Sequence, residues 1–295
     1  MSARPKISVG LVTRNRADSL ALTLESLRGQ SAQPFEVIVS DDSDPAKAPQ
    51  TEAVAARFGC RYTPGPRRGL YANRNSIADL CLGSHLRTMD DDHLFPEGHF
   101  ALCEAAVASD PGAFWSTGEK GFIDGKFYAM VDRALELQPG GVGALAHSYD
   151  NNWAVADGST IFPIEIFKRG HRMVEMFGFG SNYLEFGVYL YRLGYTGRSV
   201  RGAFVEHYAG EETLHRLDTV TGAESRLFAS ICYNFYFRRN LYLGFKYMGS
   251  HVLLRRARWP MVWRVPALLR MARDRWGGLP ARPTRVGAGL GEGGA

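Results

Sequence analysis

Three consecutive aspartates, Asp90, Asp91 and Asp92, sit in the stretch LRTMDDDHLFP, residues 86–96, directly after a short run with strand character. Adjacent carboxylates raise one another's pKa and repel, so this concentration of charge costs stability unless water or a cation screens it. Local spacing alone is equally met by a solvated turn in which Asp92 caps a helix beginning near Pro96. A second acidic stretch, SDDSD with Asp41 and Asp42, follows another apolar run, FEVIVS. Whether the two stretches belong to one site depends on the elements that carry them.

Those elements alternate. ISVGLV (7–12) is a continuous β-rich run, and the segment after it places Leu20, Leu24 and Leu27 at helical spacing. FEVIVS (35–40) reads as a second strand, KAPQTEAVAARFG as a helix stopping at Gly59, and RYTP as a third strand. GLYANRNSIADLCLG then supplies a helix, and HLRTM a fourth strand running into the aspartates. The alternation predicts an α/β fold, with a doubly wound, mostly parallel sheet. Ligands of such sheets gather at the carboxyl ends of the strands, where Asp41, Asp42 and Asp90 to Asp92 all fall.

The chain of 295 residues, 45% of them hydrophobic, is long enough to bury one large core or a core with an appendage. Its four cysteines, Cys60, Cys81, Cys103 and Cys232, lack paired spacing, which argues against a disulfide framework or a zinc site and fits a reducing cytoplasm. The apolar run near the N-terminus is too short for a signal peptide or membrane span, so secretion is not expected. Residues 238–276 carry ten basic side chains against one acid, Asp274, a net charge of +9 within a chain of net charge +5.

The segment ISVGLVTRNRADSLALTLESLRGQSAQPFEVIVSDDSD, followed by GLYANRNSIADLCLGSHLRTMDDDHLFP, resembles glycosyltransferase family 2, whose members share the GT-A fold that binds nucleotide sugars. The resemblance extends over roughly residues 5–210 and implies a catalytic domain over 1–222, its nucleotide-sugar half ending near residue 95. A helical, basic and aromatic extension (223–278) and a flexible Gly-rich tail (279–295) would follow. The implied activity is inverting, metal-dependent transfer of a hexosyl or deoxyhexosyl unit from a UDP-, GDP- or dTDP-sugar. The acceptor would be a hydroxyl of a glycan or lipid-linked acceptor, as in glycan, cell-surface polysaccharide or glycolipid synthesis.

On this resemblance Asp90 and Asp92 form a DxD pair, and hard oxygen ligands suit Mg2+ or Mn2+. Asp92 would lie on the metal, Asp90 nearer the ribose as well as the metal, and Asp91 on the donor side. Asp42 would accept a hydrogen bond from the base, Thr13 would stand beside the nucleotide, and Arg74 and Asn75 would line the phosphates. His207, closing the strand in VRGAFVEH, would contact the metal or the pyrophosphate.

AVADGSTIFPIEIFKRG resembles the acceptor-side segment, with Asp157 and Gly158 facing the incoming hydroxyl. In GFGSNYLEFGVYLYRLGY, Asn182 and Tyr183 stand where many members carry Glu-Asp, leaving Glu185 as the expected catalytic base and Asp157 as runner-up. That departure keeps a non-catalytic nucleotide-sugar-binding or scaffold protein as the alternative. A sugar-nucleotide pyrophosphorylase is disfavoured, because LVTRNRADS lacks the glycine-rich loop such enzymes use.

Basic groups beside Trp259, Trp263 and Trp276 suit helices lying on an anionic membrane surface, on the inner face for a cytoplasmic protein. A helical cap with a solvated arginine face fits equally. No nucleic-acid reader motif accompanies the charge, and no nucleic-acid partner is expected.

Overall fold

The computed structural model describes residues 5–177, 180–209, 220–253 and 261–280. Its first half follows the expected alternation. Strands β1 (Ile7–Thr13), β2 (Glu36–Asp41), β3 (Arg61–Pro64) and β4 (His85–Asp90) are joined by helices α1 (Ala17–Arg28), α2 (Ala48–Arg57) and α3 (Leu70–Leu80). β1 pairs in parallel with both β2 and β4, and β2 with β3. Every residue of β1 is buried, because helices cover both faces of the sheet. Ile7, Val9 and Leu11 pack against Leu20, Leu24 and Leu27 of α1, while Val12 joins Tyr71 and Ile77 of α3 on the opposite face. Gly10 lets α3 approach: a Cβ there would stand 2.4 Å from Ile77 and 2.8 Å from Leu86.

The parallel arrangement stops at β4. The second half contributes β5 (His93–Leu94), α4 (His99–Ser109), β6 (Phe114–Ile123), β7 (Lys126–Val131), β8 (Leu135–Leu137), β9 (Gly143–Leu145), β10 (Thr160–Pro163), α5 (Ile164–Lys168), α6 (Asn182–Arg192) and β11 (Gly197–Ala209). The resulting nine-stranded sheet runs β3-β2-β1-β4-β10-β6-β11-β5, with β7 beside β6. β10 is antiparallel to both neighbours, β6 and β11 are parallel, and β5 is antiparallel to β11. Asp92 does not cap the next helix. Helix α4 starts only at His99, after Gly98 in the left-handed conformation, and Asp92 lies in the turn between β4 and β5.

Beyond β11, α7 (Val220–Ile231) runs into a π-helical segment, Cys232–Phe237, followed by α8 (Leu241–Leu253) and α9 (Val265–Trp276). Leu227, Phe228, Leu268 and Trp276 share a core with Leu184 and Val188 of α6 and Trp153, so the extension is packed against the sheet-bearing body. The Gly-rich tail from Pro283, with Arg255, Arg256, Arg258 and Trp259, lies outside the described residues.

Candidate active site

Val12 is in register with Asp90, and Thr13 with Asp41, so the carboxyl ends of β1, β2 and β4 form one rim. Past Asp90 the chain turns through Asp91 and Asp92 into β5, and α1 braces that turn. The Ser19 and Thr23 hydroxyls both donate to the Asp91 carbonyl, and Thr23 also reaches the His93 carbonyl. These bonds satisfy backbone acceptors that would otherwise be buried without partners.

The repulsion among the three aspartates is relieved first by protein cations. Arg16, just ahead of α1, forms ion pairs with Asp91 and, at 2.9 Å, with Asp92. Arg74 of α3, fully buried, bridges Asp90 at 2.5 Å and Asp157 through its two terminal nitrogens. Asp91 is sealed from solvent and accepts the Thr13 hydroxyl at 2.5 Å. Burial pushes its carboxyl up to about 7, against the opposing pull of Arg16. Thr13 and Asp91 therefore bind each other at the floor of the rim.

Asp92 instead faces two imidazoles. His93 and His207 are register partners across the antiparallel β5–β11 pair, with ring centroids 4.9 Å apart. Their Nε2 atoms lie 3.9 and 3.8 Å from the Asp92 oxygens. His93 Nδ1 donates to the Gly158 carbonyl at 3.2 Å, and His207 Nδ1 donates to Glu119 of β6 at 3.0 Å. Because a carbonyl and a carboxylate can only accept, both Nδ1 atoms carry the proton in these bonds, leaving each Nε2 directed at Asp92. Asp92, His93 and His207 offer ligand atoms within 4.8 Å of one another, the arrangement expected of histidine ligands fixed by an outer layer of acceptors. Burial would raise the Asp92 pKa, but the nearby His207, His93 and Arg16 hold it well below the usual carboxylate range. Burial works against charge on His207, yet the neighbouring carboxylates of Asp92 and Glu119 raise its pKa.

One carboxylate and two imidazoles at this spacing could hold a divalent metal ion. Asp90 lies outside this triad, held by Arg74. Gly158, at φ +78, admits it: a Cβ there would fall 2.4 Å from Asp90 Oδ2 and 2.9 Å from His93 Cε1.

Other expected donor residues are placed differently. Asp42 accepts the Arg67 backbone N–H at 2.8 Å, and burial raises its pKa, so it sits on the rim beside the turn before α3. Asn75 has both ends of its amide engaged with residues 173–175, through the Met173 backbone and the Glu175 carboxylate, rather than turned to an open pocket.

The two acids expected on the acceptor side differ sharply. Asp157 keeps 26% of its side chain exposed, with Oδ1 on Arg74 and Oδ2 only 3.4 Å from the Tyr71 hydroxyl. Glu185 is wholly buried and accepts from Arg275 Nε at 2.8 Å and Trp276 Nε1 at 2.7 Å. An acceptor hydroxyl cannot reach a carboxylate covered by α9. Tyr183, in the first turn of α6, feels the charges of Glu119 and Arg74, and burial pushes its phenol up to about 12. Sequence reasoning missed Arg16, Glu119 and His93. Only His93, directly following the aspartates, carried a local signal, since the pairing that turns it towards His207 spans more than a hundred residues.

The family model for glycosyl transferase family 2 matches residues 8–171, more than half of the chain, and the chain belongs to that family. An uncharacterized glycosyltransferase, YwdF of Bacillus subtilis (strain 168), is 33% identical over 98 residues, 32% of this chain and 35% of that protein. Among solved structures, GalNAc-T7 with UDP, GalNAc and Mn2+ matches with a TM-score of 0.65 at 14% identity, over 96% of this chain and 60% of that one. Staphylococcus TarS (S. aureus, residues 1–349) in complex with UDP-GlcNAc matches with a TM-score of 0.59 at 14% identity, over 92% of this chain and 88% of that one. The mannosyltransferase PcManGT from Pyrobaculum calidifontis, in complex with GDP-Man and Mn2+, matches with a TM-score of 0.56 at 14% identity, over 93% and 74%. The curled mixed sheet is therefore the GT-A fold, followed by a C-terminal helical region; the chain spans only about a third of the curated relative it matches.

Proposed function

We propose that this protein transfers a glycosyl unit from a nucleotide sugar to an acceptor hydroxyl with inversion at the anomeric carbon. The observation that carries the reading is the convergence of Asp92, His93 and His207, each histidine anchored through its other nitrogen, beside the Arg74-linked pair Asp90 and Asp157. The triad would hold Mn2+, which would neutralise negative charge developing on the departing diphosphate. Asp42 at the outer rim would meet the base, and Asp90 the ribose or the sugar. UDP, GalNAc and Mn2+ in GalNAc-T7, and GDP-Man and Mn2+ in PcManGT, support the same donor class.

Asp157 is the proposed base. Its partly exposed carboxylate takes the acceptor proton as the acceptor oxygen bonds to the anomeric carbon, and the bond to the diphosphate breaks with its electrons on the phosphate oxygen. Arg74 fixes the carboxylate in position. Glu185 drops from base to anchor of the C-terminal helix. The acceptor class that fits the family is a glycan or a lipid-linked sugar at the inner face of a membrane.

The test is a panel of UDP-, GDP- and dTDP-sugars with Mn2+ or Mg2+, scored for nucleotide release and for thermal stabilisation. Metal-dependent release from one donor supports the reading. Stabilisation without release from any donor favours the nucleotide-sugar-binding alternative, which Asn182 and Tyr183 in place of an acidic pair motivate.

A further inference from the structure

Helix α8 leaves much of its apolar surface uncovered. Leu241, Tyr242, Phe245 and Leu253 are all exposed, Tyr242 at 74%, while Gly244 and Val252 face the protein. The helix is docked from behind. Gly244 meets the Phe235 ring, and His251 Nε2 donates to the Gly140 carbonyl at 2.9 Å. Ser230 and Asn234 hold the adjoining Pro139 carbonyl. Val142, in the same turn, is exposed as well.

The charge on this surface has one sign. Arg238 and Arg239 lead into the helix, Lys246 sits within it, and all three are exposed. Residues 221–253 contain a single acid, Glu224, and it is paired with Arg264 at 3.0 Å. The β8–β9 hairpin supplies only Glu136, which is buried and accepts from His147. Trp263, in the turn before α9, is 85% exposed. No helix among the described residues is long and apolar enough to cross a membrane. Arg275 and Trp276, by contrast, turn inward onto Glu185 and take no part in this surface.

We infer that the exposed face of α8, with Arg238, Arg239 and Lys246, is a docking surface for an anionic lipid bilayer. Aromatic and aliphatic side chains interleaved with cations, with no exposed acid among the described residues of α7, α8 and the β8–β9 hairpin, match an interface that is apolar beneath and negative above. A second copy of this chain docked through the same face would set cation against cation, since the described residues of this face include no acid. The inference deepens the proposed acceptor class by naming the surface on which a lipid-linked acceptor would be met, but its test needs no turnover.

Full-length protein is sedimented with phosphatidylglycerol vesicles and with phosphatidylcholine vesicles, in the absence of any donor. Binding to the first and not the second is expected, with each of Arg239→Ser and Lys246→Ser lowering the partition about fivefold. Tyr242→Ser with Phe245→Ser should abolish binding, while Asp157→Asn sediments as wild type. Unchanged melting curves exclude misfolding of these surface variants. Equal sedimentation of wild type and all variants, or no sedimentation of any, overturns the inference. So does self-association in light scattering that the Tyr242→Ser and Phe245→Ser pair removes, because that assigns the face to a second copy. Failure of the transferase reading shows separately, as absent nucleotide release from a protein that still sediments.

Discussion

The aspartate rim and the Glu185 pocket each bury carboxylate against arginine, yet they are built for different ends. At Glu185 every contact is internal. Arg275 and Trp276 both donate to the same oxygen, Tyr189 lies under the Arg275 guanidinium at 4.0 Å, and no part of the acid is exposed. At the rim the donors converge from β5, β11 and α3 on groups that retain some exposure, and each histidine nitrogen that is not directed at Asp92 has been fixed by an acceptor. A buried ion pair alone is thus a poor sign of chemistry. Ligand atoms aimed at a common point, with their outer contacts already satisfied, are a better one.

The contrast breaks most visibly at Asp92. Asp92→Asn should lower metal-stimulated nucleotide release about a thousandfold and weaken Mn2+ binding in calorimetry, because the amide supplies no charge to the triad. Next comes Asp157→Asn, which should cut transfer about a hundredfold or more while leaving donor affinity close to wild type. Steady-state kinetics with calorimetric donor binding checks the split, and full activity returns the base to another acid. Glu185→Gln should do the reverse. The folded enzyme keeps its rate, but Arg275 loses its buried countercharge and urea denaturation should register a loss of about 3 kcal/mol. If Glu185→Gln instead abolishes transfer at unchanged stability, the division between the two acids fails.

Two smaller effects sharpen the picture. Glu119→Ala frees His207 Nδ1 and should weaken Mn2+ binding roughly tenfold to a hundredfold, read by calorimetry rather than turnover. Asn75→Ala removes the brace on residues 173–175 and should cost about 1–2 kcal/mol in stability, with a modest effect on donor affinity.

Much of the first half was legible because its signals are local. The β-rich runs, the leucine spacing of α1, and acids placed just after strands led to a parallel sheet with its ligand rim, and β1, β2 and β4 follow that reading in register. The second half was not legible in the same way. β10 enters between β4 and β6 in reverse direction, and β5 consists of two residues, too few for any sequence period to mark. The roles of Glu185 and Trp276 were similarly hidden, since 91 residues separate the partners.

The sequence by itself determined the residue types available for chemistry, the acids at the strand ends, the departure at Asn182 and Tyr183, and the basic, aromatic composition of the C-terminal segment. Tertiary structure decided which of these meet. Side-chain roles depend on partners brought together by strand pairing and helix docking, and neither is encoded in local spacing. Only the antiparallel β5–β11 pair sets His93 against His207, and only the docking of α9 on α6 closes Glu185 while Asp157 stays partly exposed.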